Sequence, residues 1–471
     1  MEIRMETDGI GNMAVPAKAY YGIQSLRAKN NFKITGRPLH PAFIKNLVKI
    51  KKAAAITNME TGLLDIKIAS AIIDACEEII SGKLLEEFIV DSIQGGAGTS
   101  ANMNANEVIA NRGIELLGGV KGDYRLIHPN DHVNMAQSTN DVIPSAGKLT
   151  ILELLPQTIF ELGRLKTAFA DKSIEFENII KIGRTQLQDA VPMRLGQSFS
   201  AYKAVVERDI KRLTNALEEM YQLNMGGTAI GTGINTSPYY FDYIVHNINK
   251  VCGTKCKQGA DLIDSTQNLD GFVNVSASLK TCALSLSKIC NDLRLLSSGP
   301  KAGMSEISLP PMQNGSSIMP GKVNPVIPEV VNQVAFLIAG NDLTISMAAE
   351  AGQLELNAFE PVLFYNLFES IEALKGAVNT LTENCILGIT ANPDRCMELL
   401  NSSVGISTAL CPYIGYHKAA SLAKKSLETG TPLKELVVVE GLLAREALDT
   451  ILEPISMTTP VHFEEKTIIN M

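Results

Sequence analysis

Nowhere in the 471 residues do apolar side chains run uninterrupted for the length that a membrane span requires. The amino terminus, Met1-Glu2-Ile3-Arg4-Met5-Glu6, is polar and acidic with no apolar stretch behind it. A soluble, cytoplasmic protein with no membrane partner is expected. An excess of basic residues is also missing: 42 Lys and Arg stand against 50 Asp and Glu, a net charge of −8 spread along the chain. The densest basic cluster, Lys49, Lys51 and Lys52, leads into an alanine run and reads as a helix surface, so nucleic-acid binding has little electrostatic support. Paired cysteines are lacking too. Cys76, Cys252, Cys256, Cys282, Cys290, Cys385, Cys396 and Cys411 stand singly, mostly within apolar helical patterns, and read as buried free thiols of a reducing compartment. Cys252-x-x-x-Cys256 has no second Cys or His pair beside it, so no metal site is expected there. Repeats and low-complexity segments are absent, and strand signals are sparse. A short hairpin is expected within the first forty residues, and Val437-Val438-Val439 is the other β-branched run of note.

Long helical patterns are what the chain has in quantity. Between Gln197 and Met225 there is neither Gly nor Pro, and Phe199, Val206, Ile210, Leu213, Leu217 and Met220 form one apolar seam. Leu262–Leu296 reads as equally long, interrupted only at Gly271. Thr150–Ile179, with Pro156 expected to start or kink it, Val326–Glu350 and Pro361–Leu387 complete the set. Hydrophobic residues make up 45% of the chain and charged ones 20%, which is enough for a large interior. Helices this long do not bury their apolar faces in a small domain, so a mostly α-helical bundle shared between subunits is expected. The length suggests about three domains. Boundaries at the polar stretch ending in Asn140 and at Thr390-Ala391-Asn392-Pro393 divide the chain into 1–139, 140–390 and 391–471.

Four short polar segments interrupt this apolar background: Gly95–Ser100, Gln137–Asp141, Gly183–Asp189 and Ser316–Pro325. Each combines hydroxyl or amide side chains with exposed backbone N–H groups, the donors that a doubly charged carboxylate requires. Ser138-Thr139-Asn140-Asp141 read alone is a helix N-cap, and Gly95–Ser100 a turn before a helix. The fourth segment is less ordinary. Paired serines, two glycines and two prolines surround a lysine six residues after Ser316, the composition of a mobile loop that sets a hydroxyl near a cation.

The run Gly315-Ser316-Ser317-Ile318-Met319-Pro320-Gly321-Lys322-Val323-Asn324-Pro325 resembles the signature of the aspartase/fumarase superfamily, and the other three segments follow the family's order and spacing. The resemblance extends from Val15-Pro16-Ala17-Lys18-Ala19-Tyr20-Tyr21-Gly22 into the C-terminal segment. It implies a three-domain, mostly α-helical fold whose central long-helix bundle assembles into a tetramer, with each active site built from three subunits. Pro325–Gln333, Met347–Leu354 and Gly183-Arg184-Thr185-Gln186 resemble the aspartase branch more than class II fumarases, which carry His where Gln186 stands, paired with a Glu at the position of Glu329. Glutamine exchanges no proton at neutral pH.

The activity implied is reversible deamination of L-aspartate to fumarate and ammonia, with removal of a Cβ proton and an enediolate intermediate. By resemblance Ser316 is the base, acting as an alkoxide that loop N–H groups and nearby Lys322 stabilise. Thr99, Ser138, Thr139 and Ser317 match residues around the β-carboxylate. Thr185, Lys322 and Asn324 match those around the α-carboxylate. Asn140 matches a contact to the amino group, with Gln186 close by. No cofactor is required. Some members of the family respond to divalent cations, with no local His/Asp/Glu cluster in this sequence to place one. His128-Pro129-Asn130-Asp131 resembles a second anion-binding segment of fumarases and reads equally as a capped turn; His40, His132, His246, His417 and His462 read as structural or surface residues. A class II fumarate hydratase and a catalytically silent scaffold with the lyase fold are the alternatives. The intact Ser316, Lys322 and Asn324 speak against the second.

Overall fold

The computed structural model describes residues 2–460; His462 lies outside them. The fold is mostly α-helical, with four two-stranded sheets among the described residues. Two compact units are formed. One comprises Met1–Phe160, Asp209–Ala283 and Val334–Gly376, the other Glu161–Arg208, Leu284–Gln333 and Ala377–Met471.

The expected hairpin is present as Ile3–Asp8 paired with Gly11–Pro16. Among the long helices, Val326–Glu350 has the bounds expected of it, and Glu360–Asn384 and Leu195–Leu217 differ from expectation only at their ends. Leu262–Leu296 is not one helix. It breaks into Leu262–Gln267 and Asp270–Leu296, where Asn268 turns extended and its side chain bonds back to Asp264. The break falls just before Gly271.

The helix expected from Thr150 instead runs from Thr139 to Glu175, through both Pro144 and Pro156. A proline inside a helix leaves the carbonyl four residues earlier without its N–H. For Pro144 that carbonyl belongs to Asn140, and Asn224 Nδ2 donates to it at 2.9 Å. A side chain from elsewhere in the first unit thus replaces the missing backbone donor and lets the helix start at the polar segment.

Two further expectations are corrected. Val437-Val438-Val439 ends the helix Leu433–Val439, because Leu433, Leu436 and Val437 share the core formed by Leu410, Ile414, Leu422 and Leu448. Helical packing there overrides β-propensity. Lys51 is no surface residue: its side chain is 0% exposed within the helix Pro41–Glu60. The eight cysteines are free; six are buried, and Cys252 and Cys411 half-buried.

By length and composition Val326–Glu350 could cross a membrane. Its polar residues, however, are bonded within the protein: Asn332 Nδ2 donates to Ser287, and Asp342 accepts from Ser276 and Lys280.

Candidate active site

The first unit carries Thr99, Ser138, Thr139 and Asn140, and the second carries Thr185, Gln186, Ser316, Ser317, Lys322 and Asn324.

In the first unit, Thr99 is exposed and opens the helix Thr99–Leu116. Ser138 caps the helix that starts at Thr139, as its residue type leads one to expect. Its Oγ accepts from Asn140 N at 3.2 Å, while the Asp141 carboxylate accepts from Ser138 N at 2.9 Å, a reciprocal cap. The cap does not consume the hydroxyl's donor. Ser138 Oγ accepts from Asn140, and Thr139 Oγ1 accepts from Asn102 Nδ2 at 3.2 Å. Each O–H therefore remains free to donate to an anion. Asn140 Nδ2 donates to the Ala229 carbonyl at 2.7 Å, which leaves its Oδ1 as the end that can receive an ammonium.

Beneath these residues the interior is polar. Asp141 is 0% exposed and accepts from the backbone N–H of Ser138, Gly226 and Thr228. Burial pushes its carboxyl up to about 6. Burial pulls the Lys51 ammonium down to about 7, against the opposing charge of Asp141.

In the second unit, Thr185 and Gln186 lie at the tip of a hairpin, Ile180–Thr185 paired with Gln188–Arg194. Thr185 faces Gln188, so the turn is Gln186-Leu187, with φ of 53° and 64°. Two successive left-handed residues match the type I′ geometry of two-residue hairpins, normally built from Asn and Gly. Leu187 is 68% exposed, so little packing offsets the strain. Leu187→Gly should stabilise the protein by roughly 0.5–1 kcal/mol in a denaturant titration. A loss of stability would show that contacts of the Leu187 side chain hold the turn.

The strand leading to that tip is clamped by a carboxylate. Glu306, fully buried, lies 3.0 Å from Arg184 Nη1 and 3.2 Å from Lys181 Nζ. Burial lowers the Lys181 ammonium below its ordinary value, and Glu306 opposes that shift. Sequence reasoning missed this triad because Glu306 is over a hundred residues from its partners.

The Gly315–Pro325 loop closes on itself for reasons visible in its residues. Met319-Pro320-Gly321-Lys322 forms a turn closed by Lys322 N to Met319 O at 3.2 Å, with Gly321 at φ 79°, the type II arrangement for Pro-Gly. Gly315 is required at the neck, where a Cβ would overlap the Lys322 carbonyl. The neck sets residue 322 against the residue preceding Ser316. Ser316 is half-buried, and its Oγ accepts from Ile318 N at 3.2 Å. Ser317 and Lys322 are exposed, and Asn324 is half-buried. Lys322 and Asn324 line a cleft of about 750 Å³ with Arg294, Ser298 and Glu329. Gln186 lines a separate hollow of about 320 Å³, and Leu295 contributes to both. Glu329 has Arg294 Nη2 at 3.8 Å.

The histidine segment reads as structure. His128 Nδ1 accepts from the N–H of Asn130 and Asp131, and His132 Nδ1 accepts from His128 N. Among the described residues no group of three or more His, Cys, Asp or Glu side chains is placed to hold a metal ion. Lys51, Asn134 and Glu306 escaped the sequence reading. A lysine between Ile50 and the alanine run was the signal that could have revealed the first.

Known proteins resemble this chain along nearly its whole length. A family described as lyase matches residues 11–340, and one described as fumarase C C-terminus matches residues 406–459. A Bacillus protein named aspartate ammonia-lyase is 52% identical over 459 residues, 98% of each chain. The Escherichia coli protein of that name is 47% identical over 463 residues, 98% of this chain and 97% of its own. Among solved structures, a fumarate lyase:delta crystallin from Brucella melitensis bound to cobalt superposes with TM-score 0.94 at 48% identity, covering 98% of this chain and 100% of that one. A class II fumarase from Schistosoma mansoni gives the same TM-score and coverage at 35% identity.

Proposed function

Since the chain belongs to the lyase family that contains the aspartases and fumarases, we propose that it is a carbon–nitrogen lyase that reversibly deaminates L-aspartate to fumarate and ammonia. The observation that carries the chemistry is the Ile318 N–H aimed at Ser316 Oγ. A serine hydroxyl is far too weak an acid to serve as an alkoxide base unless donors stabilise its anion, and this one has a backbone donor within its own loop.

Ser316 takes the Cβ proton. The electron pair left behind enters the β-carboxylate, which becomes a doubly negative enediolate. Thr99, Ser138, Thr139 and Ser317 hold that carboxylate, and the free O–H groups of Ser138 and Thr139 support the assignment. Thr185, Lys322 and Asn324 hold the α-carboxylate. Asn140, with Gln186 nearby, receives the ammonium. As the enediolate collapses, the new C=C bond forms and the C–N pair stays with nitrogen. An ammonium leaves as neutral ammonia without a proton donor, so a glutamine at 186 is sufficient.

The reaction needs no cofactor, and a divalent cation enters only as an activator. The working form is a cytoplasmic homotetramer whose segments 1–139, 140–390 and 391–471 serve as domains and whose active sites are shared between subunits. Phe336, Leu343 and Met347 support the assembly: at helical spacing on Val326–Glu350, each is more than 60% exposed in the single chain.

The test supplies purified protein with L-aspartate or L-malate, following fumarate by ultraviolet absorbance and ammonia in parallel. Equimolar fumarate and ammonia from aspartate are expected. Faster fumarate release from malate would make it a hydratase, and silence on both substrates would make it a scaffold.

A further inference from the structure

Lys51 is an ammonium with no access to water, and its hydrogen bond goes to a neutral amide, Asn134 Oδ1, at 2.8 Å. Asn102 Nδ2 and Asn106 Nδ2 reach the same oxygen at 3.2 Å each. Three donors thus converge on one carbonyl oxygen, and the cationic one is the shortest. Asn134 passes the constraint onward. Its Nδ2 donates to the Gln137 carbonyl at 3.1 Å, directly before Ser138. Asn102 Nδ2, shared with Asn134, also donates to Thr139 Oγ1. Two hydrogen bonds therefore separate the buried ammonium from the backbone that presents Ser138.

The titratable groups near Lys51 are Asp141 and Cys76. Asp141 takes its hydrogen bonds from the N–H groups of Ser138, Gly226 and Thr228, and burial holds the Cys76 thiol well above its ordinary value. A buried cation bonded to an amide is costly to keep unless its field serves something else.

Building on the deamination reading, we propose that Lys51 is a positioning residue for the β-carboxylate subsite, acting through Asn134 to fix the loop that ends in Ser138 and Thr139. The positive field behind that loop matters most when the β-carboxylate passes from one negative charge to two. Interactions that strengthen only in the transition state raise kcat and leave KM nearly unchanged.

Two variants test this in the aspartate assay. Lys51→Met removes the charge and keeps the length. Asn134→Asp keeps the acceptor for all three donors, neutralises the ammonium and turns the bond to the Gln137 carbonyl into a repulsion. In each folded, assembled variant kcat should fall by roughly 10²-fold, with KM for aspartate moving by less than about threefold. A loss confined to KM, or a kcat within about twofold of wild type in either folded variant, overturns the proposal. If Lys51→Met does not fold, Asn134→Asp decides. Wild-type protein that releases no ammonia from aspartate would sink the deamination reading itself, and this inference with it.

Discussion

Ser316→Ala should lower kcat for L-aspartate by about 10³-fold or more while leaving the fold and assembly unchanged. The two halves of that expectation have separate causes. Removing the base leaves substrate bound opposite a methyl group, and no other side chain of the loop can accept a proton from carbon: Lys322 is a cation and Ser317 is assigned to the carboxylate. Stability is hardly touched, because Ser316 is half-buried and its hydroxyl takes a hydrogen bond from the Ile318 N–H in the same loop. Loss of one such bond is worth about 1 kcal/mol at most. The measurement pairs initial rates of fumarate release with sedimentation and a thermal midpoint. A variant that keeps its rate would remove Ser316 from the role of base. One that loses both rate and assembly would show that the serine is structural.

The features that were legible in the sequence are those whose causes are local. Val326–Glu350 has its expected bounds because apolar periodicity and flanking breakers both act within a few residues. The Ser316 loop stands out for the same reason: Pro-Gly sets its turn and Gly315 its neck. The illegible features depend on partners far along the chain. The helix through Pro144 needs Asn224, eighty residues away, to replace a donor. The hairpin Ile180–Arg194 has the alternating Ile180 and Ile182, yet its turn is built from Gln186-Leu187 where propensity calls for Asn-Gly. Lys51 looked like surface because lysine usually is; its burial follows from Asn134, Asn102 and Asn106, contributed by other elements. The hydroxyls of the candidate site were thus readable, while the groups that orient them were not.

The largest stability effect is expected at Glu306. Its side chain is 0% exposed, and it is the carboxylate for both Arg184 and Lys181, which are themselves only 13% and 5% exposed. Glu306→Gln preserves volume but leaves two buried cations without an anion, a change worth about 3–5 kcal/mol. Arg184 cannot shed its proton. Lys181 can, since burial already lowers its affinity for one and its Nζ keeps a hydrogen bond to the Ile182 carbonyl. The variant therefore carries a pH signature. With Glu306 gone the folded-state value for Lys181 drops further below its unfolded value, so between the two the unfolded chain binds more protons and stability rises with pH. The deficit relative to wild type should be greatest at neutral pH and narrow as pH approaches 10. Adding Lys181→Met should recover part of the loss at pH 7 and flatten the pH dependence. Denaturant titrations at fixed protein concentration read all three. A deficit independent of pH would place the damage in the lost contacts of the carboxylate, not in the stranded ammonium. Because the same strand ends in Thr185, with Gln186 next in the turn, the kinetic counterpart is a raised KM for aspartate. A variant that is destabilised but binds aspartate as wild type does would confine the triad to a purely structural role.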